Sequence, residues 1–125
     1  MKEFELINYI QKLFNNKQSG ISFDNDTISI EKTNEKLIVS KDLFIEDVHY
    51  TDKFTTPYCA GYKSLAVNIS DIAASGGKPK YFFLGMGLPK NKSDFYIKEI
   101  LRGMNACAKK YGVLLMGGDT TRSAK

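Results

Sequence analysis

Residues 65–79 read LAVNISDIAASGGKP, and they lie in the most informative segment of the chain. The pattern is helical from Tyr58 to Ser75, and Gly76-Gly77 followed by Pro79 is a strong stop signal. Apolar residues occupy nearly the whole circumference of this helix, which indicates a largely buried element. They are Leu65, Ala66, Val67, Ile69, Ile72, Ala73 and Ala74.

A single polar stripe interrupts that apolar surface. Ser64, Asn68 and Asp71 fall at positions i, i+4 and i+7, which lie on one side of a helix. A carboxylate on a buried helix is costly unless it is paired or bound to a metal. The spacing leaves two alternatives open: a functional Asp71, or one that satisfies a backbone or lysine partner.

Working outward toward the N-terminus, apolar residues at helical spacing predict a helix over residues 3–14. Two β-branched segments, Thr27–Glu31 and Lys36–Ser40, flank a polar four-residue loop, and this pattern is typical of a hairpin. Residues 41–57 show no clean period, and we expect a long loop there.

Toward the C-terminus, Tyr81–Leu88 is an apolar run of strand length. Ser93 is placed to cap a helix that ends at Tyr111, with Gly112 in the C-cap position. A short apolar strand, Val113–Met116, then runs into two glycines. The resulting order, α-β-β-α-β-α-β, predicts an α+β fold with a single mixed or antiparallel sheet and helices on one face.

Composition excludes several classes of protein. The chain has 125 residues, 42% hydrophobic and 26% charged, which suits one globular domain. No stretch approaches the roughly 20 apolar residues of a membrane span, so we expect no membrane association. The net charge of +4 is spread along the chain and gives no nucleic-acid footprint. Cys59 and Cys107 are expected to be packing residues in a reducing cytoplasm.

Four aspartates stand at the ends of predicted elements: Asp26, Asp42, Asp71 and Asp119. If they converge, an oxygen-only cluster of this kind suits Mg²⁺, which takes one or two carboxylates together with substrate phosphates. Taken singly, each is more often a cap or turn residue. The glycines of Gly117-Gly118-Asp119 would let the backbone approach a ligand, or they would form a polar turn. The P-loop and dinucleotide-binding signatures are absent.

These motifs, in this order, resemble the thiamine-monophosphate kinases. The resemblance is carried by LAVNISDIAASGGKP, by Asp42 with EDVHY (46–50), by GLP (87–89) and by GGDTTR (117–122). That family lies in the superfamily of aminoimidazole ribonucleotide synthetase, selenophosphate synthetase and the hydrogenase-maturation dehydratase. The resemblance implies an N-terminal ATP- and Mg²⁺-binding domain that forms a homodimer, with direct phosphoryl transfer from ATP to thiamine monophosphate.

The same resemblance assigns roles to individual residues. Asp26, Asp42, Asp71 and Asp119 fall on the metal-binding aspartates, for Mg²⁺ and usually K⁺ as well. Gly118 and Asp119 fall on the nucleotide contact, and His49 falls on a contact to the thiamine phosphate. Supporting positions around the metal and phosphates are Asn68, Lys41 and Arg122. No residue is assigned as a catalytic nucleophile.

The chain departs from the family pattern at three positions. Asn25 replaces one acidic residue, Lys41 stands where a Thr or Ser is usual, and Asp47 replaces a glycine before Val48-His49. The family's chains are more than twice this length, and their C-terminal domain lies outside this chain. Two alternatives follow: another ATPase of the same superfamily, of hydrogenase-maturation or selenophosphate type, or a catalytically inactive domain that only dimerises.

Overall fold

The computed structural model describes residues 2–14, 30 and 32–122, with side chains described as far as Gly118. Within these ranges lie three helices and two strands. In chain order they are α1 (Glu3–Phe14), α2 (Pro57–Ala74), β1 (Tyr81–Leu88), α3 (Asp94–Tyr111) and β2 (Leu114–Arg122). The α+β class predicted from the sequence is confirmed. None of the helices in these ranges is long and apolar enough to cross a membrane.

The helix ends follow the predicted capping chemistry. The Thr56 hydroxyl accepts a hydrogen bond from the Cys59 amide at 3.1 Å, and Pro57 occupies the start of α2. The Ser93 hydroxyl accepts from the Tyr96 amide at 3.1 Å and begins α3. Gly112 ends α3 with a left-handed φ of 68°. The predicted bounds of all three helices are therefore confirmed to within one residue.

The two strands pair in parallel, whereas the sequence predicted a mixed or antiparallel sheet. The connection between them is α3, and a crossover helix of this kind joins parallel neighbours. A register shift between Phe82 and Phe83 leaves Met116 as an extra residue in β2. Beyond it, Leu84 pairs with Gly118 and Gly85 with Asp119.

The polar-turn alternative for residues 117–122 is wrong, because β2 continues through them to Arg122. Gly118 is required there for a steric reason. A Cβ at Gly118 would overlap the carbonyl oxygen of Leu84 on the neighbouring strand. The glycine thus allows the two strands to lie close together at this register.

The predicted hairpin is not found in the described part of the chain. Lys36–Ser40 has no strand assignment there, and Thr27–Glu31 lies outside the described residues apart from Ile30, which is not in a strand. An apolar extended segment forms a strand only when a neighbour supplies a hydrogen-bonding ladder. No such neighbour for 36–40 occurs within residues 32–122, and Val39 is 88% exposed.

The core lies between the three helices and the inner face of the sheet. Leu101, Cys107 and Leu115 are its most buried large side chains. Leu6, Ile10 and Phe14 of α1 line one side of it, in agreement with their predicted helical spacing. Cys107 is thus a packing residue as predicted. The same prediction is wrong for Cys59, which is exposed in the first turn of α2.

Helix α2 packs closely on α3 through two glycines. A Cβ at Gly61 would overlap the carbonyl oxygen of Ile100, and a Cβ at Gly103 would overlap that of Tyr58. Only this side of α2 is buried, together with Leu65 and Ile69. The prediction of a largely buried helix is therefore wrong. The other apolar residues of its predicted surface are half-buried, as Val67 and Ile72 are, or exposed, as Ala73 and Ala74 are.

We predict that Gly103→Ala lowers the free energy of unfolding by about 1–3 kcal/mol, because the added methyl group forces the two helices apart. Helix propensity alone predicts the opposite, a gain of about 1 kcal/mol. Chemical denaturation followed by circular dichroism measures the difference. Gly85→Ala is the control, since a Cβ there meets nothing within 4 Å. Stabilisation by Gly103→Ala would contradict the close packing.

Candidate functional site

The carboxyl groups of Asp42 and Asp71 lie in hydrogen-bonding contact with each other. Asp71 belongs to the last turn of α2, and Asp42 belongs to the extended segment that follows Ser40. The contact raises the pKa of Asp42 above its ordinary value. The hydrogen bond with Asp71 is the largest cause, burial is second, the negative charge of Asp71 is third, and His49 acts in the opposite direction.

Two adjacent carboxylates repel each other when both are charged, and a bound cation relieves that repulsion. Oxygen ligands alone, with both side chains open to solvent, are the donor set that Mg²⁺ prefers in proteins. The described part of the chain supplies two such ligands and contains no cluster of three or more His, Cys, Asp or Glu. The residues present therefore fit one side of a magnesium site.

Asn68 lies one turn before Asp71 and connects α2 to the same extended segment. Its amide nitrogen donates to the Ser64 carbonyl at 3.1 Å, and its carbonyl oxygen lies 3.5 Å from the Ser40 hydroxyl. The predicted polar stripe therefore exists, but Asp71 at its end is exposed. The expectation that Asp71 is a costly buried charge is therefore wrong.

The other predicted metal and phosphate residues are only partly described. Asp26 lies outside the described residues. The backbones of Gly118 and Asp119 are placed in β2, opposite Leu84 and Gly85, but the side chains of Asp119 and Arg122 lie outside the described part. Lys41 is exposed and adjoins Asp42 in the chain. Convergence of all four aspartates stays a prediction.

Residues 44–50 form a compact turn, called here the His49 turn. The Ile45 carbonyl accepts hydrogen bonds from the amides of Val48 and His49, at 3.1 and 2.8 Å. The Ile45 amide in turn donates to His49 Nδ1 at 2.9 Å. Because Nδ1 is the acceptor, the proton of the neutral ring lies on Nε2. His49 therefore presents a hydrogen-bond donor to solvent.

Asp47 has a φ of 65°, the one positive φ outside glycine in the described residues. Its amide donates to the Tyr50 carbonyl at 2.7 Å, which closes the turn. Aspartate tolerates this left-handed conformation better than most residues, although glycine adopts it without cost. Asp47 therefore carries a small steric cost that a glycine at this position would not have.

A polar network that the sequence pattern does not reveal begins at this turn. Lys92, just before α3, bridges Glu46 and Asp52, and Tyr96 in the first turn of α3 donates to Asp52. Acidic residues on both sides of His49 were the available signal. Their lysine partner is 46 positions from Glu46 in the chain, and no local pattern reveals a contact of that length.

A groove of about 1980 Å³ runs between residues 30 and 32–46, α2 and β1. Asp42 and Asn68 line it, and so do Lys92 and Tyr96. Small-molecule pockets are typically about 300–1,000 Å³, so the groove has room for a nucleotide-sized ligand. It connects the acidic pair to the network beside the His49 turn.

Comparison with known proteins agrees with this architecture. The family model for the AIR synthase related protein, N-terminal domain, matches residues 23–125, and the chain belongs to that family. It is similar to the thiamine-monophosphate kinase of Bacillus subtilis, with 38% identity over 99% of this chain and 39% of that protein. The chain thus spans about two fifths of the length of this curated relative.

Solved structures give the same result. The thiamine-monophosphate kinase of Stenotrophomonas maltophilia matches with a TM-score of 0.78 and 33% identity, over 98% of this chain and 39% of that one. AaThiL complexed with AMPPCP and TMP matches with a TM-score of 0.69 and 30% identity, over 97% and 38%. The hydrogenase maturation protein HypE in complex with ATP, at 21% identity and a TM-score of 0.80 over 96% and 34%, shares the fold.

We predict that Asp71→Asn returns the pKa of Asp42 toward its ordinary 3.8. A folded-state pKa above the unfolded value means that stability is full below the unfolded value and falls as pH rises through the folded one. Without metal, Asp71→Asn should therefore remove this loss of stability between acidic and neutral pH. Carboxyl-carbon NMR titration measures the shift. An Asp42 pKa that is unchanged by the substitution would contradict the contact.

We predict that Asp47→Gly raises the free energy of unfolding by up to about 1 kcal/mol, because glycine has no steric penalty at positive φ. Urea denaturation measures the gain. The matched control is Lys53→Gly in the following loop, at an exposed residue with an ordinary φ, where glycine should destabilise. Equal effects of the two substitutions would show that Asp47 carries no strain.

Proposed function

We propose that this chain is the N-terminal, Mg²⁺- and ATP-binding part of a thiamine-monophosphate kinase. The whole enzyme transfers the terminal phosphoryl group of ATP to thiamine monophosphate and yields thiamine diphosphate and ADP. The observation that carries the proposal is the contact between Asp42 and Asp71. Two carboxylates held together beside a nucleotide-sized groove form part of a site for metal-bound phosphates.

The proposed metal ligands are Asp26, Asp42, Asp71 and Asp119. Bound Mg²⁺ would neutralise charge on the transferring phosphoryl group. Asn68 supports the site by holding the segment before Asp42 against α2 through Ser40. Lys41 adjoins the pair, and its ammonium group is suited to a phosphate oxygen or to the place of a K⁺ ion.

The nucleotide contact in this proposal is the backbone of Gly118 and Asp119. AMPPCP is a non-hydrolysable analogue of ATP, and its presence in the AaThiL complex supports nucleotide binding by this fold. The proposed substrate contact is His49, whose Nε2–H points away from the bond that holds Nδ1. A neutral donor of this kind can hydrogen-bond to the phosphate of thiamine monophosphate. Arg122 is proposed to balance phosphate charge.

The proposal includes a second copy of the chain. Apolar side chains are exposed on the outer side of β1 and along residues 37–45, among them Leu37, Val39, Tyr81 and Phe83. Exposed apolar patches of this kind mark interaction surfaces. We infer a homodimer through this face, in the cytoplasm, where the unpaired Cys59 and Cys107 are kept reduced.

Two other functions share this fold. A hydrogenase-maturation type of ATPase is consistent with the likeness to HypE, although that likeness supports the fold alone. A domain that only dimerises would keep the exposed apolar face and bind no nucleotide. Assays of the longer protein with each acceptor substrate distinguish the kinase from the other type of ATPase. Light scattering combined with nucleotide titration distinguishes the kinase from a domain that only dimerises.

We predict that AMPPCP binds this chain in the presence of Mg²⁺ and that EDTA abolishes binding. Asp42→Asn and Asp71→Asn should each weaken it at least about 100-fold, because a charged oxygen ligand of the metal ion that accompanies the nucleotide is lost. Isothermal titration calorimetry measures the affinities. Glu5→Gln, at an exposed acid on α1, is the matched control and should bind normally. Unaltered binding in both aspartate variants would refute the site.

A further inference from the structure

Lys92 and Tyr96 connect the start of α3 to both flanks of the His49 turn. We propose that these two are positioning residues, which hold the turn in the shape that presents His49 to an anionic substrate. The identity of that substrate as thiamine monophosphate rests on the proposed function. The positioning itself rests on the contacts described below and is tested separately.

The Lys92 ammonium group bridges two carboxylates. Nζ lies 3.0 Å from Glu46 Oε1 and 2.9 Å from Asp52 Oδ2. Glu46 lies within the His49 turn and Asp52 lies two residues beyond it, so one cation fastens both flanks. The Lys92 side chain is 16% exposed, against 40% for Asp52 and 25% for Glu46. Partial burial reduces solvent screening of both ion pairs.

The Tyr96 side chain adds a second connection. Its hydroxyl donates to Asp52 Oδ1 at 2.7 Å and lies 3.3 Å from the Tyr50 hydroxyl. Its ring stacks below the Lys92 ammonium, with 4.4 Å between Nζ and the ring centroid. Burial, aided by both hydroxyl contacts, raises the pKa of Tyr96 strongly. The hydroxyl therefore remains protonated and continues to donate.

The anchor is firm because α3 is the best-buried helix in the described part of the chain. Ser93 caps it next to Lys92, and Ile97 and Leu101, one and two turns on, are in the core. The turn itself has no buried side chain and is held internally by its backbone bonds and by Phe44, which stacks on His49 and Tyr50. The contact between the Tyr50 and Tyr96 hydroxyls therefore links this aromatic stack to α3.

Charge gives Lys92 a second effect on an anionic ligand. Glu46 and Asp52 carry two negative charges near His49, and Lys92 balances one of them. Without the ammonium group, both carboxylates would repel a phosphate that approaches Nε2. Hydrogen bonds from Lys92 and Tyr96 hold the pKa of Asp52 below its ordinary value although burial acts to raise it. Asp52 therefore stays charged and keeps both partners.

NMR spectroscopy of His49, the one histidine of the chain, tests the positioning directly. Lys92→Met and Tyr96→Phe should each speed hydrogen exchange of the Ile45 amide about tenfold, which equals about 1.4 kcal/mol of local opening. The ring nitrogens should lose the pattern of an Nδ1 acceptor. Lys92→Arg should restore both signals, because a guanidinium can also bridge two carboxylates.

Lys90→Met is the matched control. Lys90 is exposed in the same loop and makes no hydrogen bond or ion pair that the described residues show. The substitution Lys90→Met should leave the exchange rate of the Ile45 amide and the His49 ring signals unchanged. A global effect is excluded when the Val113 amide, which bonds to Ala108, exchanges at its original rate. If Lys92→Met fails to fold, Asp52→Asn provides the same test.

Unchanged ring signals in both Lys92→Met and Tyr96→Phe would overturn the proposal. Titration of thiamine monophosphate into the wild-type chain and into Lys92→Met then tests the substrate. If Lys92→Met changes the His49 ring signals and also weakens the binding of thiamine monophosphate, the result supports positioning of His49 for that ligand. If the wild-type chain does not bind thiamine monophosphate but Lys92→Met still changes the His49 ring signals, the proposed substrate contact is contradicted. The positioning of His49 by Lys92 is then still supported.

Discussion

The backbone contact between α2 and α3 is the constraint on which the rest of the molecule depends. Gly61 and Gly103 each face a carbonyl oxygen of the opposite helix, with no room for a methyl group. Such close contact is possible at few crossing positions of the two helices, because a side chain in place of either glycine would push the helix axes apart. The position of α2 is therefore determined by α3, and with it the position of Asp71 near the end of α2.

Helix α3 thereby positions both halves of the candidate site. Its middle holds α2 and, through α2, the acidic pair; its start holds the His49 turn through Lys92 and Tyr96. The groove lies between these two attachments. A functional arrangement built on flexible segments needs such rigid supports, because loops alone define geometry poorly. Here the buried helix α3 fixes the geometry, and the exposed segments attached to it bear the polar groups.

Local chemistry predicted the elements well and their partners poorly. Thr56, Ser93 and Gly112 mark helix ends by bonds within a few residues, so the sequence alone indicated them. The strand status of Lys36–Ser40 and of residues 117–122 depends on which neighbour lies alongside, which no local pattern contains. The same reason explains the site: Asp42 and Asp71 were recognisable as candidates, whereas the partnership of Lys92 with Glu46 was not, because 46 residues separate them.

The contact between Asp42 and Asp71, the acidic pair, has an energetic cost. Two adjacent carboxylates repel each other at neutral pH, and nothing in the described core requires them to be neighbours. A chain with net charge +4 has many lysines that could have paired each acid separately. No ion pair between either acid and a lysine is found in the described residues, and both acids face solvent. A dissolved cation that binds the folded state offsets this repulsion, and the offset grows with its concentration. The unfavourable contact thus couples stability to metal binding, as expected of a site that is completed by its ligand.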